Sequence, residues 1–232
     1  MIRRCEGPPG ADGPEPRSQE VPTDGTTSIT RSHPVLAIVR FHEPGELDAT
    51  LDHLIAGGIG LLEVTLDTPG ALDAIARVAG TEVTIGAGTV VTVDQVRACA
   101  DHGARFIVSP GLQPAVVEAA LERSLVPIPG VLTPTEILAA HSLGLQTLKL
   151  FPASLGGPEY VRTLRGPFST TAFVPTGGIE LAELPRYLEA GAACVGLGSS
   201  LVGPRPPGTS AELDALTVRA RHTVTSAVEA TA

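Results

Sequence analysis

Tryptophan is absent from the 232-residue chain, and aromatic residues make up only 3% of it. Such a chain has few rings on which nucleobases could stack. Positive charge is also scarce: 16 Lys and Arg against 25 Asp and Glu leave a net charge of -9. Phosphate backbones want a basic face, so nucleic acid is not an expected partner, although a local basic pocket for a small phosphate ester is still allowed. Cysteine is limited to Cys5, Cys99 and Cys194, far apart and without a CxxC. That excludes a zinc ribbon and argues against a disulfide framework. The six histidines never cluster at metal-ligand spacing, so no metal is expected. No apolar run reaches the roughly 18 residues of a membrane span, and the N-terminus lacks the apolar core of a signal peptide. The expectation is a cytoplasmic protein with no membrane partner.

What is plentiful is small and apolar. Hydrophobic residues are 43% of the chain, enough for a sizeable core. The 26 Gly and 21 Pro are too many for a helical bundle and suit a fold with many tight turns. Residues 1–32 are proline-rich, with few large apolar residues and no periodicity, so they are expected to be disordered. Residues 33–232 are expected to form a single domain.

From Pro34 onward, short apolar runs alternate with amphipathic stretches in units of about 20 residues. Strands are expected near Val35–Val39, Gly60–Leu66, Glu82–Gly86, Arg105–Ser109, Val126–Pro129, Thr147–Phe151, Ala172–Pro175 and Cys194–Leu197. A helical pattern follows each. Gly comes after Ala56, Ala79, Leu143 and Ala190, as at a helix C-terminus, where a positive φ is wanted. Eight strands alternating with eight helices predict a parallel sheet closed into a (β/α)8 barrel of the TIM type. An open doubly wound sheet is the competing fold, but the first turn, Arg40-Phe-His-Glu-Pro, has no glycine run. Gly86-Ala-Gly-Thr likewise lacks the third glycine of a dinucleotide fingerprint.

In a barrel of this kind, chemistry sits at the C-terminal ends of the strands. Lys149, in Thr-Leu-Lys-Leu-Phe-Pro, should share a face with Thr147 and Phe151 and point inward. A buried ammonium is costly, which favours a free, nucleophilic amine. The bland reading is a lysine that reaches solvent or pairs with a carboxylate. Glu63 has the parity of Thr65 and would meet Lys149 across the mouth. Together they suit Schiff-base chemistry with a carboxylate moving protons, or else a structural salt bridge. Gly177-Gly178 and Gly198-Ser199 follow the last two strands, where loop amides often hold phosphate, although tight turns alone would also need these glycines.

The motifs Glu63-Val-Thr-Leu, Ile85-Gly-Ala-Gly-Thr89, Val108-Ser-Pro-Gly111, Pro127-Ile-Pro-Gly130, Leu148-Lys-Leu-Phe-Pro-Ala153, Pro175-Thr-Gly-Gly-Ile179 and Gly196-Leu-Gly-Ser199 occur in an order that resembles one family. This is the class I 2-keto-3-deoxy-6-phosphogluconate (KDPG) aldolases, with their 4-hydroxy-2-oxoglutarate (KHG) and 6-phosphogalactonate relatives. The resemblance implies a cofactor-free lyase acting on a small-molecule substrate, and a homotrimer. It implies that Lys149 is the Schiff-base lysine and Glu63 the general acid/base. Thr89 would bind the pyruvate carboxylate, Pro110 and Phe151 would wall the pocket, and Gly177, Gly178, Gly198 and Ser199 would bind phosphate.

One position departs from the pattern. Many phosphogluconate enzymes have Arg four residues after the glutamate, where this chain has Asp67. Arg40 is the candidate substitute as the anion anchor, an arrangement similar to the 6-phosphogalactonate branch. Gly156-Gly-Pro-Glu-Tyr160 resembles that branch too. Asp67 could instead be a helix N-cap ahead of Thr68-Pro69. Two other readings are an isomerase or epimerase barrel using acid/base chemistry alone, and a non-catalytic barrel that binds a phosphosugar acid.

Overall fold

The computed structural model describes residues 29–231, Arg31 excepted. The expectation for the N-terminal tail therefore lies almost wholly outside the described residues. Ile29 and Thr30, from the end of that stretch, are described. Ile29 packs against a cluster that includes Leu36, Leu61 and Phe106, and Thr30 is fully buried.

Among the described residues there are nine parallel strand segments: β1 Val35–Val39, β2 Leu61–Thr65, β3 Thr84–Gly88, β4 Phe106–Val108, β5 Val126–Ile128, β6 Gly130–Val131, β7 Thr147–Leu150, β8 Ala172–Pro175 and β9 Val195–Leu197. The helices are α1 Leu47–Ala56, α2 Ala71–Val78, α3 Val93–Asp101, α4 Pro114–Glu122, α5 Pro134–Ser142, α6 Gly157–Arg165, α7 Leu184–Glu189 and α8 Ser210–Thr231. The strands form a six-stranded sheet ordered β5-β4-β3-β2-β1-β9 and a three-stranded sheet β6-β7-β8. The single expected strand at Val126–Pro129 is thus two short ones that extend to Val131. The break falls at Pro129, which has no N–H to donate to a ladder. The two sheets meet at this break, where the Lys149 N–H donates to the Pro129 carbonyl at 3.0 Å. They meet again at the bridge between Thr176 and Gly196. The result is one curled parallel surface covered by helices.

Strands buried on both faces read as nearly continuous apolar runs, and β1 does so. Its Val35, Ala37 and Val39 pack outward under the helices, while Leu36 and Ile38 join the inner cluster with Phe106, Val108 and Val174. The same alternation sets the site. In β2, Leu62 and Val64 face the helices and Leu61 lies in the inner cluster, so Glu63 and Thr65 share the inward parity. In β7, Leu148 and Leu150 face outward, leaving Thr147 and Lys149 inside.

The helices complete the outer layer by burying one stripe each. α2 buries Ala71, Ala74, Ile75 and Val78, the spacing of one helical face. Capping boxes at Thr92/Gln95 and Thr133/Glu136 start α3 and α5. Gly80, Gly144 and Gly191 have the expected positive φ, whereas after α1 it is Gly58, not Gly57, that takes it. Asp67 is not an N-cap: the turn after β2 runs on to Gly70, which caps α2. No helix among the described residues is long and apolar enough to cross a membrane. Cys99 and Cys194 are free and buried.

Candidate active site

The C-terminal strand ends surround a cavity of about 630 Å³. Every candidate named from the sequence lines it: Arg40, Glu63, Thr89, Pro110, Lys149, Phe151, Gly177, Gly178, Gly198 and Ser199. Residues from seven strand ends thus converge on one space, although they are spread over 160 positions of chain, from 40 to 199.

Lys149 is 6% exposed, held inside by the parity of β7. Its amine lies 4.8 Å from the centroid of the Phe151 ring. It is also the only lysine in the sequence, a signal that reading strand by strand passed over. A chain that meets every other need for a cation with arginine has one amine side chain, and it is in the pocket.

Glu63 is 1% exposed, and among the described residues no protein group donates a hydrogen bond to either carboxylate oxygen. Among the described residues no ion pair joins it to Lys149, so the structural salt bridge is not what holds this pair. Burial raises the Glu63 pKa above the usual carboxylate range; the positive charges of Lys149 and Arg40 pull it back, and Asp67 pushes it up. A buried carboxyl with no fixed partner is costly, and such groups are concentrated where protons move. Room for it comes from Gly88. A Cβ there would overlap Oε1 of Glu63 and lie 2.7 Å from its Cδ. The second glycine of Gly-Ala-Gly-Thr is therefore a steric requirement of the glutamate, which the linear motif did not reveal.

Thr89, the next residue, has φ 60, a left-handed conformation that a β-branched side chain rarely adopts. Its Oγ1 accepts a hydrogen bond from Arg40 Nη2 at 2.8 Å. Arg40 Nε also lies 3.6 Å from Asp67 Oδ2, and His42 Nδ1 lies 3.9 Å from the same oxygen. Asp67 and His42 both line the cavity, and neither had been assigned to it from sequence.

Another part of the wall is built from glycine. Gly177 and Gly178 have φ 95 and 70. A Cβ on Gly177 would sit 2.8 Å from Phe151 Cε2, and one on Gly178 would sit 2.8 Å from Ser154 Cβ. Gly198 and Ser199 open the turn after β9, in which the Leu201 and Val202 N–H groups both donate to the Gly198 carbonyl. Among the described residues, no group of three or more His, Cys, Asp or Glu could hold a metal ion.

The sequence model of the KDPG and KHG aldolases matches residues 26–212. The chain belongs to the KDPG and KHG aldolase family. A probable 2-dehydro-3-deoxy-6-phosphogalactonate aldolase of Rhizobium meliloti is 37% identical over 175 residues, covering 74% of this chain and 82% of that one. The KHG/KDPG aldolase of Escherichia coli K12 is also 37% identical, over 86% of this chain and 95% of its own. Among solved structures, the KDPG aldolase of Legionella pneumophila superposes with a TM-score of 0.75 at 32% identity, covering 86% of this chain and 98% of that one; it was captured with pyruvate as a covalent carbinolamine. Membership fits a pocket that contains one buried amine and one buried, unpartnered carboxyl.

Proposed function

We propose that this family member is a class I aldolase, a carbon–carbon lyase that cleaves a 2-keto-3-deoxy-6-phospho sugar acid reversibly to pyruvate and glyceraldehyde 3-phosphate, or 4-hydroxy-2-oxoglutarate to pyruvate and glyoxylate. The observation that carries this is Glu63, buried without a hydrogen-bond partner among the described residues, in the pocket that holds the chain's only lysine. The carbinolamine in the Legionella relative supports the same chemistry.

Lys149 attacks the C2 ketone as a free amine, giving a carbinolamine. Glu63 donates the proton that lets water leave, and a protonated imine remains. Glu63, now a carboxylate, takes the proton of the C4 hydroxyl. The C3–C4 bond breaks, its electron pair flows into the iminium, and the aldehyde departs. The resulting enamine takes a proton at C3 from Glu63, and hydrolysis releases pyruvate and restores Lys149. A carboxyl whose pKa burial has moved toward neutrality suits both directions of transfer. Thr89 and Arg40 bind the carboxylate end. The turns at Gly177-Gly178 and Gly198-Ser199 bind phosphate through backbone amides, because the absence of Cβ lets the anion approach closely. Pro110 and Phe151 wall the space between.

In this reading β5 and β6 are one strand interrupted at Pro129, the two sheets make a closed eight-stranded barrel, and residues from Ile29 onward form a single catalytic domain. The assembly is a homotrimer and the partner a small molecule.

The test is borohydride reduction in the presence of pyruvate, followed by peptide mass spectrometry. A pyruvyl adduct on Lys149, lost in Lys149→Ala with the fold intact by circular dichroism, is the expected result. Wild-type protein that folds but gives no adduct overturns the aldolase reading. It would return the site to acid/base isomerisation or to binding alone.

A further inference from the structure

Asp67 carries the wrong charge to hold a substrate carboxylate, yet it lies on the pocket wall. Its backbone is anchored there. Thr68 beside it is 3% exposed, its N–H donates to the Thr65 carbonyl at 2.9 Å, and its Oγ1 accepts from the Phe41 N–H at 3.1 Å. The turn that bears Asp67 is thereby tied to the end of β1, next to Arg40. Asp67 Oδ2 occupies the Nε side of the guanidinium, while Nη2 reaches the end of β3 and donates to Thr89 Oγ1.

Donor and acceptor inventory then sets a direction. A guanidinium has only donors, so Thr89 Oγ1 must accept from Arg40. The hydroxyl proton of Thr89 must then point elsewhere, and no other protein hydrogen bond of this hydroxyl is present among the described residues. The side chain lines the cavity, and its backbone is held left-handed at φ 60. Thr89 is thus set to donate into the pocket, toward an anionic acceptor.

We infer that Asp67 is a positioning residue: it orients Arg40, and Arg40 in turn forces the Thr89 hydroxyl to donate to the carboxylate of the keto acid. The inference rests on the aldolase reading and adds to it the means by which this chain binds a carboxylate with an acid at the rim. Asp67 Oδ2 lies 3.6 Å from Arg40 Nε, so it acts on the ligand through the guanidinium.

The experiment is the half-saturating concentration for borohydride trapping, measured with pyruvate and with pyruvamide, in which a neutral amide replaces the carboxylate. Asp67→Asn should raise the value for pyruvate about fivefold, the size expected for losing roughly one net hydrogen bond, and raise that for pyruvamide less, because a neutral amide oxygen is a weaker acceptor than a carboxylate. Asp67→Glu should restore most of the pyruvate affinity. In an Arg40→Ala background, Asp67→Asn should have no further effect. Asp67→Ser carries the same expectations should Asp67→Asn fail to fold. Tighter pyruvate binding in Asp67→Asn, equal changes for both ligands, or an undiminished effect without Arg40 would each overturn the inference. Failure of wild-type protein to trap pyruvate would instead strike the aldolase reading itself.

Discussion

Replacing Gly88 by alanine should silence the site without unfolding the protein. The added methyl would overlap Glu63 Oε1 and stand 2.7 Å from Cδ and 2.9 Å from Cγ. Carbon atoms pack at about 3.5–4.0 Å, so the carboxyl must retreat by roughly 1 Å. A displacement of that size at a catalytic group costs about 10²-fold in rate, or about 2.7 kcal/mol of barrier. The fold should tolerate the change. Gly88 is the last residue of a strand and its φ is not in the left-handed region, so alanine adopts its backbone freely. Alanine also removes conformational freedom from the unfolded chain, worth about 0.4–1 kcal/mol in favour of folding. The assay couples pyruvate release to lactate dehydrogenase, with thermal unfolding measured in parallel. The expected result is kcat/KM down about a hundredfold with Tm unchanged or slightly higher. A Gly88→Ala enzyme of wild-type activity would refute the claim that the position of the Glu63 carboxyl governs turnover.

Two further changes probe other walls of the pocket. Glu63→Gln should cut turnover by about 10²–10⁴-fold and also alter the pH dependence of stability. Because burial raises the folded-state pKa of Glu63, the unfolded chain ionises first as pH rises, and stability is lost until pH passes the folded value. Glutamine has no such titration, so its Tm advantage should be absent in acid and grow through the carboxylate range toward neutrality; an offset independent of pH would contradict this. Gly177→Ala forces a side chain into φ 95 and against the Phe151 ring, which should cost about 1–2 kcal/mol of stability and raise KM for the phosphorylated substrate. Pyruvate trapping should be much less affected, and an equal loss of both would argue against a phosphate role for this turn.

Much of this site was readable in one dimension because β-strands alternate. The apolar neighbours of Lys149 and Glu63 mark the outward face, and the burial of Leu148, Leu150, Leu62 and Val64 under the helices follows that parity. Ten strand-end residues converge on one cavity for the same reason. What escaped depends on through-space neighbours or on backbone states that residue type argues against. Pro127 and Pro129 sit in one short run, and nothing local says that pairing resumes at Gly130 and Val131. Thr68-Pro69 looks like a helix start, yet the turn continues to Gly70, which frees Asp67 to meet Arg40. A threonine at φ 60 has no sequence signal, since its β-branch disfavours that region. Ile29, lone and apolar among polar residues, was counted with the tail although it packs against the inner cluster.

The solitary lysine also makes the chain a reporter of its own integrity. A lysine-specific protease has one peptide bond to cut, between Lys149 and Leu150, the last bond within β7. Both residues are buried, so fraying of loops or termini exposes no cleavage site, and the bond opens only when the sheet itself comes apart. Cleavage by such an enzyme then measures the population of globally unfolded molecules. A ligand that binds the folded pocket should slow it in proportion to its occupancy.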